Sequence, residues 1–214
     1  MNKYITEFIG TFFLVITIAL TGNALAIGAA LMVMIYMGGH ISGAHYNPAV
    51  SLAIFIRGKL PAKDYTPYII FQILGAFAAA AVAAYLTGRT ATPAPAMGVD
   101  FVRAVIAELV FTFALALVVL NVATTQSTYG NNYYGLAIGA TVMAGAFAMG
   151  PISGAAFNPA VAIGLILMDT IKGGTSMSNI LIYLIGPFVG GSLAAIVFRV
   201  TNPAEFVEHK EESK

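Results

Sequence analysis

Gly43-Ala44-His45-Tyr46-Asn47-Pro48-Ala49-Val50, with its echo Gly154-Ala155-Ala156-Phe157-Asn158-Pro159-Ala160-Val161, decides how this chain folds. Each stretch opens on a glycine and runs into an Asn followed directly by Pro. Asn is a favoured helix N-cap and Pro suits the first helical position, so both stretches read as helix starts. Apolar runs follow, Pro48–Ile56 and Pro159–Met168. At ~1.5 Å per residue, about ten residues cover only half of a ~30 Å hydrocarbon core. Irregular backbone at membrane depth survives only when buried in protein or lining a wet cavity. The two stretches therefore predict re-entrant half-helices whose N-termini aim at one shared point.

The surrounding chain is built for a bilayer. Apolar residues make up 59% of it and charged ones 9%, with a mean hydropathy of +0.86, far from a soluble domain. Runs of spanning length, about 17–25 residues, occur near 4–21, 24–40, 64–87, 102–123, 133–150 and 177–200. The first is not read as a signal peptide: it carries Glu7 inside the apolar run, and a matching segment recurs at Glu108. A net charge of +1 with scattered basic residues excludes an electrostatic nucleic-acid partner. The absence of cysteine removes disulfides, thiolate nucleophiles and cysteine-based metal sites. His40 and His45 lack the His-Glu-x-x-His zinc spacing, and neither a metal nor a cofactor is expected.

The two halves repeat. Ile5-Thr6-Glu7-Phe8 aligns with Ile106-Ala107-Glu108-Leu109, Ile41-Ser42-Gly43-Ala44 with Ile152-Ser153-Gly154-Ala155, and Gly75-Ala76-Phe77 with Gly186-Pro187-Phe188. Three full spans per repeat invert the second copy, which creates a pseudo-two-fold axis in the membrane plane and sends the half-helices in from opposite faces. The expected fold is an all-α membrane protein with six transmembrane helices plus two re-entrant half-helices in an inverted repeat. The first repeat covers about 1–87, a linker 88–100, the second about 101–200, and a polar tail, read as disordered or loosely helical, 201–214. With the N-terminus cytoplasmic, Lys3, Arg57, Lys59, Lys63, Arg199, Lys210 and Lys214 fall inside and only Arg89, Arg103 and Lys172 outside, as the positive-inside rule favours. The C-terminus is then cytoplasmic too.

The paired Asn-Pro-Ala boxes, their Ser-Gly-Ala leads, the intramembrane Glu of each first helix and Gly186-Pro187-Phe188 together resemble the aquaporin/aquaglyceroporin family, over essentially the whole chain to about residue 200. A third Asn-Pro-Ala, at 202–204, lacks the Ser-Gly lead and reads as a helix stop. The resemblance implies a passive channel in the plasma membrane for water and small neutral solutes, a homotetramer with one pore per subunit. It implies a pore centre at Asn47, Pro48, Ala49, Asn158, Pro159 and Ala160. It also implies a carbonyl ladder from Gly43, Ala44, His45 and Tyr46 and from Gly154, Ala155, Ala156 and Phe157, with Glu7 and Glu108 bracing the loops. Physically, such a ladder offers hydrogen-bond acceptors in an apolar tube, while the Asn amides and two helix dipoles disfavour cations at the centre.

By offset from the boxes, the family's narrow filter falls on Ile27, Ala146, Ala155 and Val161. Val161 stands where the family ordinarily has Arg, Ala146 where water-selective members usually have His, and Ala162 where glycerol channels carry Asp; Tyr183 looks aquaporin-like and Leu184 glycerol-like. Losing the Arg removes a fixed charge and several donors. Four apolar residues leave size and dewetting as the discriminators. The expectation is a wide filter passing water together with glycerol, urea or neutral metalloid hydroxides, the alternative being a water-selective channel. A secondary transporter also uses inverted repeats and broken helices but needs carboxylates at the substrate site, and only Glu7 and Glu108 qualify. An intramembrane hydrolase would have to rest on Ser42 with His40 and His45, and no enzyme activity is expected. A purely structural role would leave the half-helices without purpose.

Overall fold

The computed structural model describes residues 1–206. Eight α-helices form in chain order: α1 (Asn2–Thr21), α2 (Ala24–Ser42), α3 (Pro48–Ile56), α4 (Ala62–Thr87), α5 (Phe101–Ala123), α6 (Tyr134–Ser153), α7 (Pro159–Ile171) and α8 (Ile180–Thr201), and no strand forms among the described residues. Six are long and apolar enough to cross a membrane. The half-helices are α3 and α7, and α7 runs three residues beyond the expected Met168. Three spans precede α5, so successive connections alternate between the face that carries the N-terminus (the amino face) and the opposite face.

Side-chain oxygens start the two half-helices, as the sequence marked, and α2 as well. Asn23 accepts from Ala26 N, Asn47 from Ala49 N, and Asn158 from Ala160 N and Val161 N. These bonds satisfy backbone donors that no intrahelical carbonyl can reach. Gly43 and Gly154 end α2 and α6 in the left-handed region, at φ 85° and 87°, where a glycine meets no Cβ penalty.

Several helix pairs approach each other through glycine. A Cβ on Gly75 would fall 2.3 Å from Phe8 O, and one on Gly190 would fall 2.4 Å from Leu109 O, so α1–α4 and α5–α8 pack backbone to backbone. Gly28 and Gly139 occupy equivalent places in the two repeats and face each other, with built Cβ atoms 2.6 and 2.5 Å from the partner's carbonyl oxygen. Contact at this range gains dispersion energy where lipid gives helices no hydrophobic reason to associate. The reciprocal Gly28–Gly139 contact also marks where the pseudo-two-fold axis passes.

The first part of the expected tail is ordered. α8 ends at Thr201, beside the expected helix stop, and Pro203–Phe206 forms a 3-10 turn against the amino face. There Glu205 pairs with Arg57 at 2.7 Å, and its second oxygen accepts from Gln126 N at 2.7 Å. The Arg57 guanidinium also lies over the Phe198 and Phe206 rings, with centroids 5.2 and 4.5 Å away. The end of α3 is thereby tied to the end of α8 and to the α5–α6 connection. Glu208, Glu211, Glu212, Lys210 and Lys214 lie outside the described residues.

Candidate functional site

The two loops that lead into α3 and α7 are wound through left-handed backbone. Ala44 and Tyr46 have φ of 51° and 50°, and Ala155 and Phe157 both have 50°. These are matched positions, and none is glycine. Left-handed backbone costs an ordinary residue about 1–3 kcal/mol and persists only when its surroundings over-determine it. The determinants here are two carboxylates that the sequence placed inside apolar helices.

Glu7, on α1 and fully buried, accepts from His45 N (3.0 Å), Tyr46 N (2.7 Å), Ser42 Oγ (2.7 Å) and Gln72 Nε2 (2.8 Å). Glu108, on α5 and fully buried, accepts from Ala156 N (3.0 Å), Phe157 N (2.6 Å) and Ser153 Oγ (2.6 Å). Each therefore takes the main-chain N–H groups that the winding turns inward. Charge-assisted bonds are roughly twice as strong as neutral ones, which offsets the burial of the carboxylates. Tyrosines finish each loop: Tyr68 donates to Ser42 O and Tyr183 to Ser153 O. With the N–H groups held inward, the loop carbonyls are free to face a cavity.

That cavity is about 520 Å³ and runs between the two loops. Its lining includes Ala44, His45, Tyr46, Ala155, Ala156 and Phe157, both box residues Asn47 and Asn158, and Ile27, Ala146, Ala155 and Val161. Among the described residues, no Asp, Glu, Lys or Arg lines it. Gly43 lines a second cavity of about 870 Å³ that opens towards the amino face. The two cavities share Ile35, Ala44, His45, Val119 and Ile138, so they meet at His45.

At the centre the two Asn side chains cross. Asn47 Nδ2 donates to Phe157 O at 2.9 Å, and Asn158 Nδ2 donates to Tyr46 O at 2.8 Å. Each Asn oxygen caps its own half-helix. An amide nitrogen carries two hydrogens, so each Asn keeps one for a molecule in the cavity. Pro48, Ala49, Pro159 and Ala160 are buried in the starts of the half-helices, outside the cavity lining.

Several participants escaped the sequence reading. Gln72 and Ser51 sit with Glu7 and His45 in one buried network, and Thr90, Ala91, Thr92 and Pro93 bring the linker to the cavity wall. Gln72 did leave a signal, as a polar residue in a long apolar run. The linker left none: it comes to the cavity because Pro93 and Ala94 pack on Gly154 and Ala96 N bonds Ile152 O. The hydrolase constellation does not assemble, since Ser42 is bonded to Glu7 and His40 is exposed. Among the described residues, no cluster of three or more metal-ligating side chains occurs.

Comparison with known proteins gives concordant results. A family model described as major intrinsic protein matches residues 1–198. An aquaporin of Oryza sativa, NIP1-4, is 35% identical over 210 residues, covering 91% of this chain and 75% of its own. The glycerol uptake facilitator protein-like 6 of Lactiplantibacillus plantarum is 36% identical over 220 residues, covering 94% and 98%. In fold, the chain is similar to the X-ray structure of the aquaglyceroporin from Plasmodium falciparum, with a TM-score of 0.84 at 23% identity, covering 95% and 98%.

Proposed function

This chain belongs to the major intrinsic protein family, and from that footing we propose that it is a passive channel for water and small uncharged solutes, with the cavity between Asn47 and Asn158 as its pore. Relatives named aquaporin and glycerol uptake facilitator support the channel. The observation that carries the wider solute range is the lining: Ile27, Ala146, Ala155 and Val161 offer no charged or donor side chain, and among the described residues no Asp, Glu, Lys or Arg touches the cavity. A polar filter rejects molecules that leave its donors unpaired. An apolar one has no donors to leave unpaired and sorts by size alone. Glycerol, urea and neutral metalloid hydroxides are the solutes of this reading. Cations are disfavoured by the helix N-termini and the Asn amides rather than by a filter Arg.

The same reading takes residues 1–87 and 101–200 as the two pore-forming repeats, both termini as cytoplasmic, and the working unit as a homotetramer in the plasma membrane. Native mass spectrometry of the solubilised protein then gives four subunits, and a monomer overturns the assembly. Stopped-flow light scattering on proteoliposomes tests the solute range. Gradient-independent, non-saturating flux of water, glycerol, urea and arsenous acid is expected. Fast water flux with exclusion of the other three would identify a water-selective channel instead.

A further inference from the structure

The two repeats differ at one buried cluster. Where the first has His45, Ser51 and Gln72, the second has Ala156, Ala162 and Tyr183. The three side chains of the first repeat are linked. Gln72 Nε2 reaches Glu7 Oε2 at 2.8 Å and Ser51 Oγ at 3.0 Å, and Ser51 Oγ lies 3.0 Å from His45 Nδ1. Gln72 and Ser51 are fully buried.

The direction of every bond follows from its neighbour. The Glu7 carboxylate is an acceptor already met by two backbone N–H groups and a hydroxyl. Gln72 must therefore turn its NH₂ end towards Glu7, and its own oxygen is left buried without a partner among the described residues. The second hydrogen of that NH₂ goes to Ser51 Oγ, so the Ser51 hydrogen goes on to His45 Nδ1. Nδ1 is then an acceptor, and the imidazole proton sits on Nε2. Among the described residues Nε2 has no protein partner, yet it is not one of the fully buried orphan atoms, so it is open to the cavities. His45 is where those cavities meet.

We propose that Gln72 and Ser51 are positioning residues that hold His45 as a neutral imidazole with its Nε2–H turned to the permeation path. A passing hydroxyl or water accepts from Nε2–H and gives its own hydrogen to a neighbouring carbonyl of the loop. Protonating Nδ1 would aim two donors at Ser51 Oγ and strip the Ser51 hydrogen of its acceptor. The chain of bonds thus keeps the ring uncharged. Other groups around His45 do not supply the opposite bias. Glu7 is satisfied by donors, Tyr68 (ring centroid 5.0 Å away) donates to Ser42 O, and Lys3 is paired with Asp64, while Lys59 and His40 line the wider cavity.

The flux consequence rests on the channel reading, whereas the tautomer does not. Full-length protein carrying ¹⁵N-histidine is reconstituted in lipid, and the His45 signals are assigned by their loss in His45→Asn. Spectra at about pH 7.5 and about pH 5.5 should show bare Nδ1 and protonated Nε2 at both. Ser51→Ala removes the donor to Nδ1 and should release the tautomer, leaving the proton shared between Nδ1 and Nε2. Its water flux should then fall by up to about twofold, the share of rings that lack an Nε2–H. Ser51→Thr keeps the hydroxyl and should behave as the unmodified protein. A proton on Nδ1, a ring that titrates in the unmodified protein, or a Ser51→Ala ring that still carries its proton on Nε2 alone overturns the proposal. Should Ser51→Ala fail to fold, the unmodified and Ser51→Thr spectra decide. Absence of flux in the unmodified protein sinks the channel reading and leaves the spectra to judge the tautomer.

Discussion

Asn47 and Asn158 each donate an amide hydrogen to the carbonyl that immediately precedes the other: Asn47 to Phe157 O at 2.9 Å, and Asn158 to Tyr46 O at 2.8 Å. The exchange is reciprocal because inverted repeats bring matched residues face to face, as the Gly28–Gly139 contact does elsewhere. One side chain thus caps a half-helix, fastens the opposite loop and keeps a hydrogen for the cavity.

Removing that side chain should show the first two of these roles in stability. Asn47→Ala loses a helix cap, worth about 1 kcal/mol, and leaves the buried Phe157 carbonyl short of a donor, at about 1–3 kcal/mol. Asn47→Asp keeps the capping oxygen but sets a buried carboxylate oxygen against the Phe157 carbonyl, two acceptors with no hydrogen between them, so it should destabilise at least as much as Asn47→Ala. Thermal unfolding in detergent checks the order. Equal midpoints for Asn47→Asp and the unmodified protein would mean that the crossed bond contributes nothing.

The two carboxylates should differ in what their loss does. Glu7 collects four donors and Glu108 three. A Gln side chain keeps one acceptor oxygen and turns an NH₂ group against the remaining donors. Each bond to a charged acceptor is worth about 1.5–3 kcal/mol, and both substitutions release left-handed backbone that is strained without a brace. Glu7→Gln should therefore be the more damaging, in unfolding temperature and in osmotic water permeability alike. A larger loss in Glu108→Gln would contradict this count.

What was legible in the sequence divides along physical lines. The half-helices at Pro48 and Pro159, the six spans and the inversion follow from length, polarity and chain direction, which are one-dimensional properties. Glu7 and Glu108 were visible because a carboxylate in an apolar helix demands partners. The loop N–H groups among those partners were expected from the resemblance, whereas the pairing of Gln72 with Glu7 was not visible. Gln72 lies 65 residues from Glu7 in the chain, and the Pro93–Ala94 contact with Gly154 is a matter of tertiary approach. The docking of Glu205 was hidden for a different reason: polarity signals solvent, but Glu205 has a buried Arg57 to neutralise.

That ion pair gives a further expectation. The Arg57 side chain is only 4% exposed, and Glu205 is its only acidic partner among the described residues. Breaking one side of a buried pair strands the other charge, at about 3–5 kcal/mol, while the Phe198 and Phe206 rings retain part of the contact. Glu205→Ala should lower the unfolding midpoint by several degrees, and Arg57→Met combined with Glu205→Ala should recover much of the loss. No recovery in the double variant would show that the charge is not stranded.

Glycines can be sorted by what a methyl group would strike. Gly75→Ala drives its Cβ against the Phe8 carbonyl and Gly190→Ala against that of Leu109, both rigid backbone. Overpacking of this kind costs about 1–3 kcal/mol or more. Gly150 is helical with nothing within 4 Å of its built Cβ, so Gly150→Ala should be neutral or stabilising by up to about 1 kcal/mol. Denaturation of the three variants side by side checks the contrast, and uniform behaviour would remove the packing explanation.

Val161 is where solute range is tested most directly. It occupies the first turn of α7, lines the cavity with Ile27, Ala146 and Ala155, and receives part of the Asn158 cap. Val161→Arg would introduce a long cation and up to five donors into that space, at a helix N-terminus whose dipole disfavours positive charge. Some loss of stability is expected for that reason. Glycerol and urea flux should drop at least about tenfold, a barrier increase of ~1.4 kcal/mol, with water flux reduced less because a water molecule needs a narrower gap. Proton flux, read with a pH-sensitive dye inside the vesicles, should be negligible both before and after the substitution if the Asn pair and the two helix dipoles carry the exclusion. A proton leak in the unmodified protein that Val161→Arg abolishes would transfer that role to the filter position. Unchanged glycerol flux in a folded Val161→Arg variant would show that these four residues are not the narrowest part of the path.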